Sequence, residues 1–409
     1  MNKPGLMSVE EARSRILAAV PLLESERVPL QRSAGRVLSE DVIARLSHPP
    51  APVSAMDGYA LRAADAKILP VRVRQIGASR AGARFDGVLE PGSCVRIFTG
   101  GVVPEGADTI ALQEDAADDG NAVVIAEVAR PGQYIRKAGL DFAAGQVCLP
   151  AGSTLTARAI GIAASCGHSE VAVRRRPRIA ILSTGDELTE IGRTPGPDQI
   201  VASNGIALSA TVQAWGGEPL DLGIAPDRIE AIADAADLAQ GCDMLVTTGG
   251  ASVGEHDLVH AALSQRGFVS DFWRIAMRPG KPLMFGHVGR LPVLGMPGNP
   301  VSALVCAVLF LRPAMAAMTG SAAVEPPFQK ARLGKAMPEN DVREDYVRAT
   351  LEIGADGHAV VHPFSRQDSS MLLTLASADA LIRRRPFAAP ASAGEEVDIV
   401  CLASNGFAC

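Results

Sequence analysis

The stretch RIAILSTGDEL at residues 178–188 decides the fold class of this chain. Its first seven residues predict a buried strand, and the glycine and two acids that follow mark the end of that strand. From there, apolar strands alternate with amphipathic helices as far as residue 315. This alternation is typical of a parallel sheet covered by helices on both faces. In such a sheet we expect ligands to bind in the loops at the carboxyl ends of the strands.

The regions on either side of this alternation have a different sequence pattern. Ser8 and Glu11 form a capping box that predicts a helix near the start, and residues 156–166 predict a second helix. Other segments are short, rich in β-branched residues and separated by turns, which predicts two β domains. We therefore expect a multidomain α/β plus β protein. Its predicted domains are a mixed helical and extended domain at 1–45 with 144–176, an inserted β domain at 46–143, a three-layer α/β domain with a parallel sheet at 177–320, and a C-terminal β-barrel-like domain at 321–409.

Composition argues against several protein classes. The net charge of −6 is unlike the basic face of a nucleic-acid binder. The seven cysteines include no CxxC pair, so neither a disulfide framework nor a zinc site is expected, and a reducing cytoplasm fits. The first residues do not form an apolar signal sequence. The apolar run Val301–Leu311 is too short to span a bilayer and predicts a buried helix.

The segment TTGGASVGEHD at residues 247–257 gives the strongest local signal, because it directly follows an apolar strand. Glycines let the backbone approach a ligand, so the N–H groups of such a loop can hold phosphate without side-chain charge. A hydroxyl and a carboxylate in the same segment can contact a substrate and a metal. A tight structural loop that needs glycine is the alternative. The residues concerned are Gly249, Gly250, Ser252, Gly254 and Asp257.

Acidic and basic side chains follow other predicted strands. Asp186 and Glu187 can bind Mg²⁺, or they can cap the next element. Arg278 and Lys281 lie on the rigid turn MRPGKP, where they can hold an oxyanion or simply face solvent.

The segment GMPGNPVSA at residues 295–303 predicts a strand, a turn and a helix start, with Asn299 as the N-cap. The free N–H groups beyond the cap can face an anion, although most helix starts are only structural. Further candidates lie in turns and strands where each residue alone favours a structural role: Asp57, Thr99, Asp141, Arg343, Arg348, Ser369 and Ser370.

Taken together, these segments resemble one known family. The ordered series SAMDGYA, TGGVVPEGAD, GLDF, STGDEL, TTGGASVGEHD, PGKP and MPGNPVSA resembles the MoeA-type molybdopterin molybdenumtransferases, and the C-terminal half of the gephyrin family is similar. The resemblance runs from about Ser8 to Val400. It implies a homodimer, with the elongated first domain in dimerisation, and a cleft between the α/β domain of one subunit and the β domains of the other. It also implies that molybdate is inserted into adenylylated molybdopterin, that AMP leaves and that Mg²⁺ is required.

The same resemblance implies roles for particular residues. Three of them would approach from the inserted domain, and a cation group with one of two serines would hold molybdate. The family often has lysine where this chain has Arg278, so charge is kept while geometry changes. The expected catalytic residues are Asp57, Asp141, Asp227, Asp257 and Lys281. The expected Mg²⁺ ligands are Asp186, Glu187 and Asp257. The expected substrate-binding residues are Thr99, Gly249, Gly250, Ser252, Gly254, Arg278, Pro297, Asn299, Arg343, Ser369 and Ser370.

Two rival functions remain open at this stage. The α/β segment also resembles enzymes that adenylylate molybdopterin, although two extra β domains favour molybdate insertion. A dimeric scaffold that binds a partner peptide, as in gephyrin, is the non-enzymatic alternative. The acidic and basic residues at the predicted cleft argue against a pure scaffold.

Overall fold

The computed structural model describes residues 6–120, 122–128, 130–249, 258–326 and 328–402. At its centre is a six-stranded sheet in which the first four strands run parallel and the last two form an antiparallel edge. In spatial order the strands are Glu218–Ala225, Arg178–Thr184, Met244–Thr248, Leu291–Met296, Met284–Val288 and Phe268–Trp273. The sequence predicted the four parallel strands but not the antiparallel pair, which closes one edge of the sheet.

Helices cover both faces of this sheet. Successive residues of a strand point to opposite faces, so each strand contributes to two apolar cores. Ile179 and Ile181 belong to one apolar core, whereas Ala180 and Leu182 belong to another. The predicted three-layer arrangement is therefore confirmed. The helices on the first face are Val9–Ala19, Ser203–Ala214 and Pro300–Met318; those on the second are Ile229–Asp237 and Leu258–Ser264.

The helix Pro300–Met318 agrees with the predicted helix at residues 300–315 and ends slightly later. It continues past Pro313, as predicted, and a π-helical turn at Ala307–Leu311 precedes this proline, which has no N–H to donate. By length and composition this helix could cross a membrane, yet 72% of its most apolar stretch is buried inside the fold, as is usual for a core helix.

The inserted region forms a mixed six-stranded sheet, as the β-rich sequence predicted. Its strands in spatial order are Thr109–Leu112, Gly58–Leu61, Ser93–Ile97, Val71–Ser79, Ala122–Ile125 and Ala116–Asp119. Short 3-10 turns lie at Ala63–Ala66 and Gln113–Asp115. The sequence suggested only a turn in SAMDGYA. The structure starts a strand there at Gly58, where a Cβ would lie 1.9 Å from the Ala111 carbonyl oxygen of the neighbouring strand.

Two-stranded ribbons and one further helix connect the inserted sheet to the rest of the chain. The ribbons pair Ser25–Pro29 with Glu170–Arg174, Val42–Ile43 with Val147–Leu149, and Val53–Ser54 with Ile135–Arg136. A 3-10 turn at Leu30–Arg32 and the helix Ala157–Ser165, capped by Thr156, complete this part. The elements come from both sides of the insertion, as the proposed discontinuous domain requires, but the domain boundaries themselves stay predictions.

The last region is a closed five-stranded barrel, which agrees with the predicted barrel-like domain. Its strands are Phe328–Leu333, Glu344–Ile353, Ala359–Pro363, Ala380–Arg384 and Glu396–Cys401, and the short helix Leu372–Ala376 lies between two of them. The two-residue strand Met277–Arg278 of the α/β region pairs in parallel with Glu344–Asp345 of the barrel. The small parallel pair Leu188–Thr189 and Ile200–Val201 lies beyond the first sheet strand.

Candidate functional site

A cavity of about 220 Å³ lies at the carboxyl ends of the parallel strands. Its floor is formed by the ends of neighbouring strands and the turns that follow them, at Thr184, Thr248–Gly249 and Gly298. Ser370 and Leu372 of the barrel region form the opposite wall. This is the place where a parallel sheet of this kind binds ligands. We call it the strand-end cleft.

One side chain that the sequence did not single out ties the floor of the cleft together. The Asn204 amide donates to the Thr248 hydroxyl at 2.8 Å and to the Gly298 carbonyl oxygen at 2.7 Å. Asn204 is in the first turn of the helix Ser203–Ala214, so the helix start is fixed to two strand ends. The sequence signal for this role was the asparagine in SNG at the helix start. An asparagine there usually indicates capping, so its bonds to other segments were not predicted.

Gly249 is required by the close approach of two strand ends. Its φ angle is +95°, and a Cβ there would lie 2.2 Å from the Thr184 carbonyl oxygen. The Thr184 hydroxyl beside it is buried and has no hydrogen-bond partner among the described residues. The rest of the predicted glycine loop, Gly250, Ser252, Gly254 and Asp257, lies outside the described residues.

Three predicted acids lie in the turns that follow two neighbouring sheet strands, and two of them bind each other's backbone. The Asp227 N–H donates to the Asp186 carboxylate at 3.0 Å, and the Asp186 N–H donates back to Asp227 at 3.4 Å. Glu187 lines the cleft, and its carboxylate folds over Gly185, where a Cβ would lie 2.3 Å from Oε2. Asp186 and Asp227 therefore hold the turn, whereas Glu187 faces the cavity.

These carboxylates can serve as part of a Mg²⁺ site. Within the described ranges, no group of three or more His, Cys, Asp or Glu side chains is arranged to hold a metal ion. Mg²⁺ commonly uses only one or two protein carboxylates and takes its other ligands from water and substrate phosphates. Glu187 and Asp186 supply oxygen donors of the right kind beside a cavity, so the donor set fits a site that is completed by the substrate.

The loop at residues 367–372 forms the barrel side of the cleft. The Asn299 side chain donates to the Ser369 hydroxyl at 2.8 Å, and the Val301 N–H donates to the Ser369 carbonyl oxygen at 3.2 Å. Asn299 occupies the predicted N-cap position, but its side chain makes no capping bond and reaches the barrel instead. Ser370 donates to the Asp368 carboxylate at 2.6 Å, which lowers the pKa of Asp368. Ser369 therefore holds the junction, whereas Ser370 lines the cavity.

Arg348 holds this loop from inside the barrel. We expected a strand arginine to point to solvent, but this one is 1% exposed. Its guanidinium donates to the carbonyl oxygens of Asp368 at 3.0 Å and Met371 at 3.1 Å, and to the side-chain oxygen of Gln367 at 3.2 Å. Burial lowers the pKa of Arg348. A buried cation thus lies directly behind the loop that carries Ser369 and Ser370.

Two predicted molybdate-binding cations meet beside the barrel. Arg278 donates to Asp341 at 3.2 Å and also binds Asp345, and Arg343 donates to the same Asp341 oxygen at 3.1 Å. The hydrogen bond to Asp345 raises the pKa of Arg278, whereas burial raises the pKa of Asp345. The sequence predicted that Arg278 holds an oxyanion or faces solvent; in the structure acids engage it, because Met277–Arg278 pairs with a barrel strand.

Lys281 differs from these arginines. Its carbonyl oxygen accepts a hydrogen bond from the Ile275 N–H at 3.0 Å, and in the described part of the chain its ammonium has no ion-pair partner. The turn before it is tightly packed, since a Cβ at Gly280 would lie 2.7 Å from the Cys306 sulfur. A cation on this packed turn remains available to an anion.

The predicted residues of the inserted region form a separate group. Asp57 accepts hydrogen bonds from the Thr99 N–H at 2.7 Å and the Thr99 hydroxyl at 2.9 Å, and these bonds lower the pKa of Asp57. Asp141 is exposed, and its N–H donates to the His48 carbonyl oxygen at 3.0 Å. Among the described residues, no hydrogen bond or ion pair joins this group to the strand-end cleft.

Comparison with known proteins gives consistent matches over nearly the whole chain. Residues 7–167 match the MoeA N-terminal region (domain I and II), residues 180–317 a probable molybdopterin binding domain, and residues 330–402 the MoeA C-terminal region (domain IV). A molybdopterin molybdenumtransferase of Haemophilus influenzae is 34% identical over 96% of this chain and 98% of its own length. One from Nostoc is 36% identical, over 91% of this chain and 89% of its own. The molybdopterin biosynthesis MoeA protein of Pyrococcus horikoshii has a TM-score of 0.83 and 28% identity, covering 98% of this chain and all of that one.

Proposed function

Because this chain belongs to the MoeA family of molybdopterin molybdenumtransferases, transferases of molybdenum cofactor biosynthesis, we propose a specific reaction for it. The chain inserts molybdate into adenylylated molybdopterin and releases AMP, and the step depends on Mg²⁺. The observation that carries this proposal is the composition of one cavity: Gly249, Glu187 and Ser370 line it together. Backbone, carboxylate and hydroxyl groups are the types that a phosphoanhydride, a metal ion and an oxyanion require.

In this proposal, acidic residues bind the metal ion, backbone groups bind the phosphates and basic residues bind molybdate. Glu187 and Asp186 would hold Mg²⁺, which when bound polarises the phosphoanhydride and stabilises the leaving phosphate. Backbone groups near Gly249 position the phosphates without adding charge. The cations Lys281 and Arg278 gather molybdate, and Ser370 orients it from the barrel side. No protein nucleophile is needed, because the dithiolene sulfurs of the substrate receive the metal.

The decisive experiment is incubation of the purified chain with adenylylated molybdopterin, molybdate and Mg²⁺, followed by detection of AMP. We expect AMP release that depends on both molybdate and Mg²⁺. Glu187→Gln should lower it by about tenfold or more, because the variant keeps the shape but removes the charge that binds the metal. Glu190→Gln is the matched control, since Glu190 is exposed and pairs with Arg193 on the surface. Equal activity in the two variants would contradict the role of Glu187.

The homodimer and its shared site are also part of the proposal. Ile43 and Val147 are paired across a ribbon and are each about half exposed, and Leu46 nearby is 57% exposed, so this surface is apolar enough for a subunit contact. If the inserted region of one subunit completes the cleft of the other, mixing Asp57→Ala and Glu187→Ala chains should restore activity. Random pairing would leave about a quarter of the sites intact. Two inactive variants that stay inactive after mixing, with dimers verified by light scattering, would refute a shared site.

The rival functions are tested by the same preparation. Transfer of AMP from ATP to molybdopterin without molybdate would identify an adenylyltransferase. Dimerisation and peptide binding without any turnover would identify a scaffold. We further propose a cytoplasmic location, which fits the six free cysteines among the described residues and the delivery of a soluble nucleotide substrate.

A further inference from the structure

Three strands of the inserted sheet bring two arginines and two aromatic rings into contact with one another. The Arg96 guanidinium carbon lies 4.9 Å from the centre of the Tyr59 ring and 4.8 Å from the centre of the Phe98 ring. The Arg80 guanidinium carbon lies 5.3 Å from the centre of the same Phe98 ring. A guanidinium within about 6 Å of a ring centre is attracted by the electron-rich face of the ring. We call Tyr59, Arg96, Phe98 and Arg80 the arginine–aromatic ladder.

The pleat of the sheet places the ladder on one face. Tyr59 and Arg96 are directly opposite each other on antiparallel strands, so their side chains leave the sheet on the same side. Phe98 follows Arg96 by two residues, whereas Ile97 between them points to the opposite side and is fully buried. Arg80 directly follows the neighbouring parallel strand, beside the end of the strand that contains Arg96. The positions of the four side chains therefore follow from strand pairing, which makes the ladder a well-fixed surface.

The two arginines of the ladder are available to an anion. Arg96 donates to the Gly58 carbonyl oxygen at 2.8 Å and also binds the Gln113 side-chain oxygen, so neutral groups fix its guanidinium. Arg80 is exposed, and within the ranges that the structure describes its guanidinium makes no hydrogen bond or ion pair. Arg84, four residues further along, is instead paired with an aspartate at 2.9 Å. A protein with a net charge of −6 thus presents two cations around one aromatic ring, and no carboxylate of the described residues forms an ion pair with either of them.

The ladder lies beside the predicted residues of the inserted region. Asp57 precedes Tyr59 by two residues and Thr99 directly follows Phe98, so the hydrogen bonds between Asp57 and Thr99 lie at one end of the ladder. The strand-end cleft, at about 220 Å³, is smaller than the roughly 300–1,000 Å³ of pockets that enclose a whole ligand of drug size. A substrate made of a pterin and a nucleotide is larger than this cleft, so part of it must bind to a second surface.

We propose that the arginine–aromatic ladder binds the adenylate part of the substrate. This inference rests on the proposed function, because it assigns a binding surface to one half of that substrate. The adenine ring stacks on the exposed guanidinium of Arg80 and extends the ladder by one flat group, an arrangement that arginine forms with nucleobases. The positive charge of Arg80 and Arg96 attracts the adjoining phosphate. In the shared site, the ladder of one subunit thereby meets a substrate whose phosphates lie at the cleft of the other.

Calorimetric titration of the full chain with AMP tests the proposal. Arg80→Gln removes the charge and the flat guanidinium from an exposed position, so the Kd for AMP should rise about tenfold while the fold stays intact. Arg84→Gln is the matched control, because it removes an exposed arginine of the same segment that is paired with Asp86, and it should leave the Kd within about twofold. Adenosine and inorganic phosphate, titrated separately, should each bind more weakly than AMP, and both affinities should fall in Arg80→Gln.

Three results would overturn the proposal. The first is an equal Kd for AMP in Arg80→Gln and Arg84→Gln, and the second is the absence of AMP binding to the unaltered chain at millimolar concentration. The third is binding of biopterin that depends on Arg80 together with AMP binding that does not, which would assign the ladder to the pterin half of the substrate.

Failure of the proposed reaction can be recognised separately. If the unaltered chain released no AMP from adenylylated molybdopterin while its AMP binding still depended on Arg80, the reaction would be contradicted and the ladder supported as an adenylate-binding surface.

Discussion

Replacement of Gly249 by alanine, compared with a control glycine, distinguishes the effect of cleft geometry on catalysis from the effect of backbone strain on stability. The new Cβ would lie 2.2 Å from the Thr184 carbonyl oxygen, and the alanine would have to keep a φ angle of +95°. Relief of that contact requires a displacement of about 1 Å, since carbon–oxygen contacts rarely fall far below van der Waals distance. The left-handed backbone adds about 1–2 kcal/mol of strain.

Gly241→Ala is the matched control for this variant. Gly241 has a φ of +81° and open space around its Cβ position, so alanine there meets the same kind of strain without a clash. Both variants should therefore lose a few degrees of melting temperature, at about 2–4 °C per kcal/mol for a cooperative unit of 150–250 residues. Only Gly249→Ala should move the strand end at Thr184 relative to the glycine loop.

The expected consequence is a difference in catalysis. A misplacement of about 1 Å costs roughly 100-fold in rate when it affects positioned groups, so kcat/KM for AMP release should fall by about that factor in Gly249→Ala. The control should stay within about twofold. Single-turnover AMP release and thermal unfolding, measured on both proteins, give the comparison. Equal activity of the two variants would refute the assignment of the strand-end cleft as the reaction site.

Two further outcomes follow from the hydrogen bonds around the site. Arg348→Met should leave the loop carbonyls without their donor, at about 1–3 kcal/mol for each group left unsatisfied. We expect the KM for molybdate to rise while the circular dichroism spectrum stays the same. Arg332→Met, which removes an exposed ion pair, is the control and should leave the KM unchanged. The pKa of Asp57 is lowered by the Thr99 N–H and hydroxyl, so its contribution to stability is present above the pKa of an unfolded aspartate, near 3.9, and is lost as the pH falls through the lower folded value. The Thr99 amide signal in an NMR titration should therefore stay fixed from pH 8 to about 5 and move only in acid. Movement near neutral pH would contradict this bond.

The sequence predicted the central architecture well because its signals are local. The strand Arg178–Thr184 and the start of the helix after Asn299 lie where hydrophobic periodicity, glycine and proline indicate. Gly249 was singled out for φ freedom, and the structure shows the contact that requires it. These features depend on residues close together in the chain, so a single sequence contains the information.

The contacts that the sequence did not predict involve partners distant in the chain. Arg278 lies on a rigid turn, but the sequence did not indicate the acids, more than sixty residues away, that engage it. Arg348 was expected in solvent, and the sequence did not indicate a role for Asn204, because the carbonyl oxygens that they bind belong to other segments. No local pattern distinguishes a buried strand arginine from an exposed one, since the difference lies in what tertiary packing places next to it.

The contacts around the cleft indicate how the site is assembled. The barrel is attached to the α/β region on two sides, by the strand pairing at Met277–Arg278 and by the bonds from Asn299 and Val301 to Ser369. Two separated attachments limit hinge motion, so the loop that lines the cleft keeps its position against the α/β region within one chain. The Asp57 group has no such attachment in the described residues. We infer that the anion-binding half of the site is preorganised, and that the freedom needed to admit a large substrate lies in the approach of the inserted region.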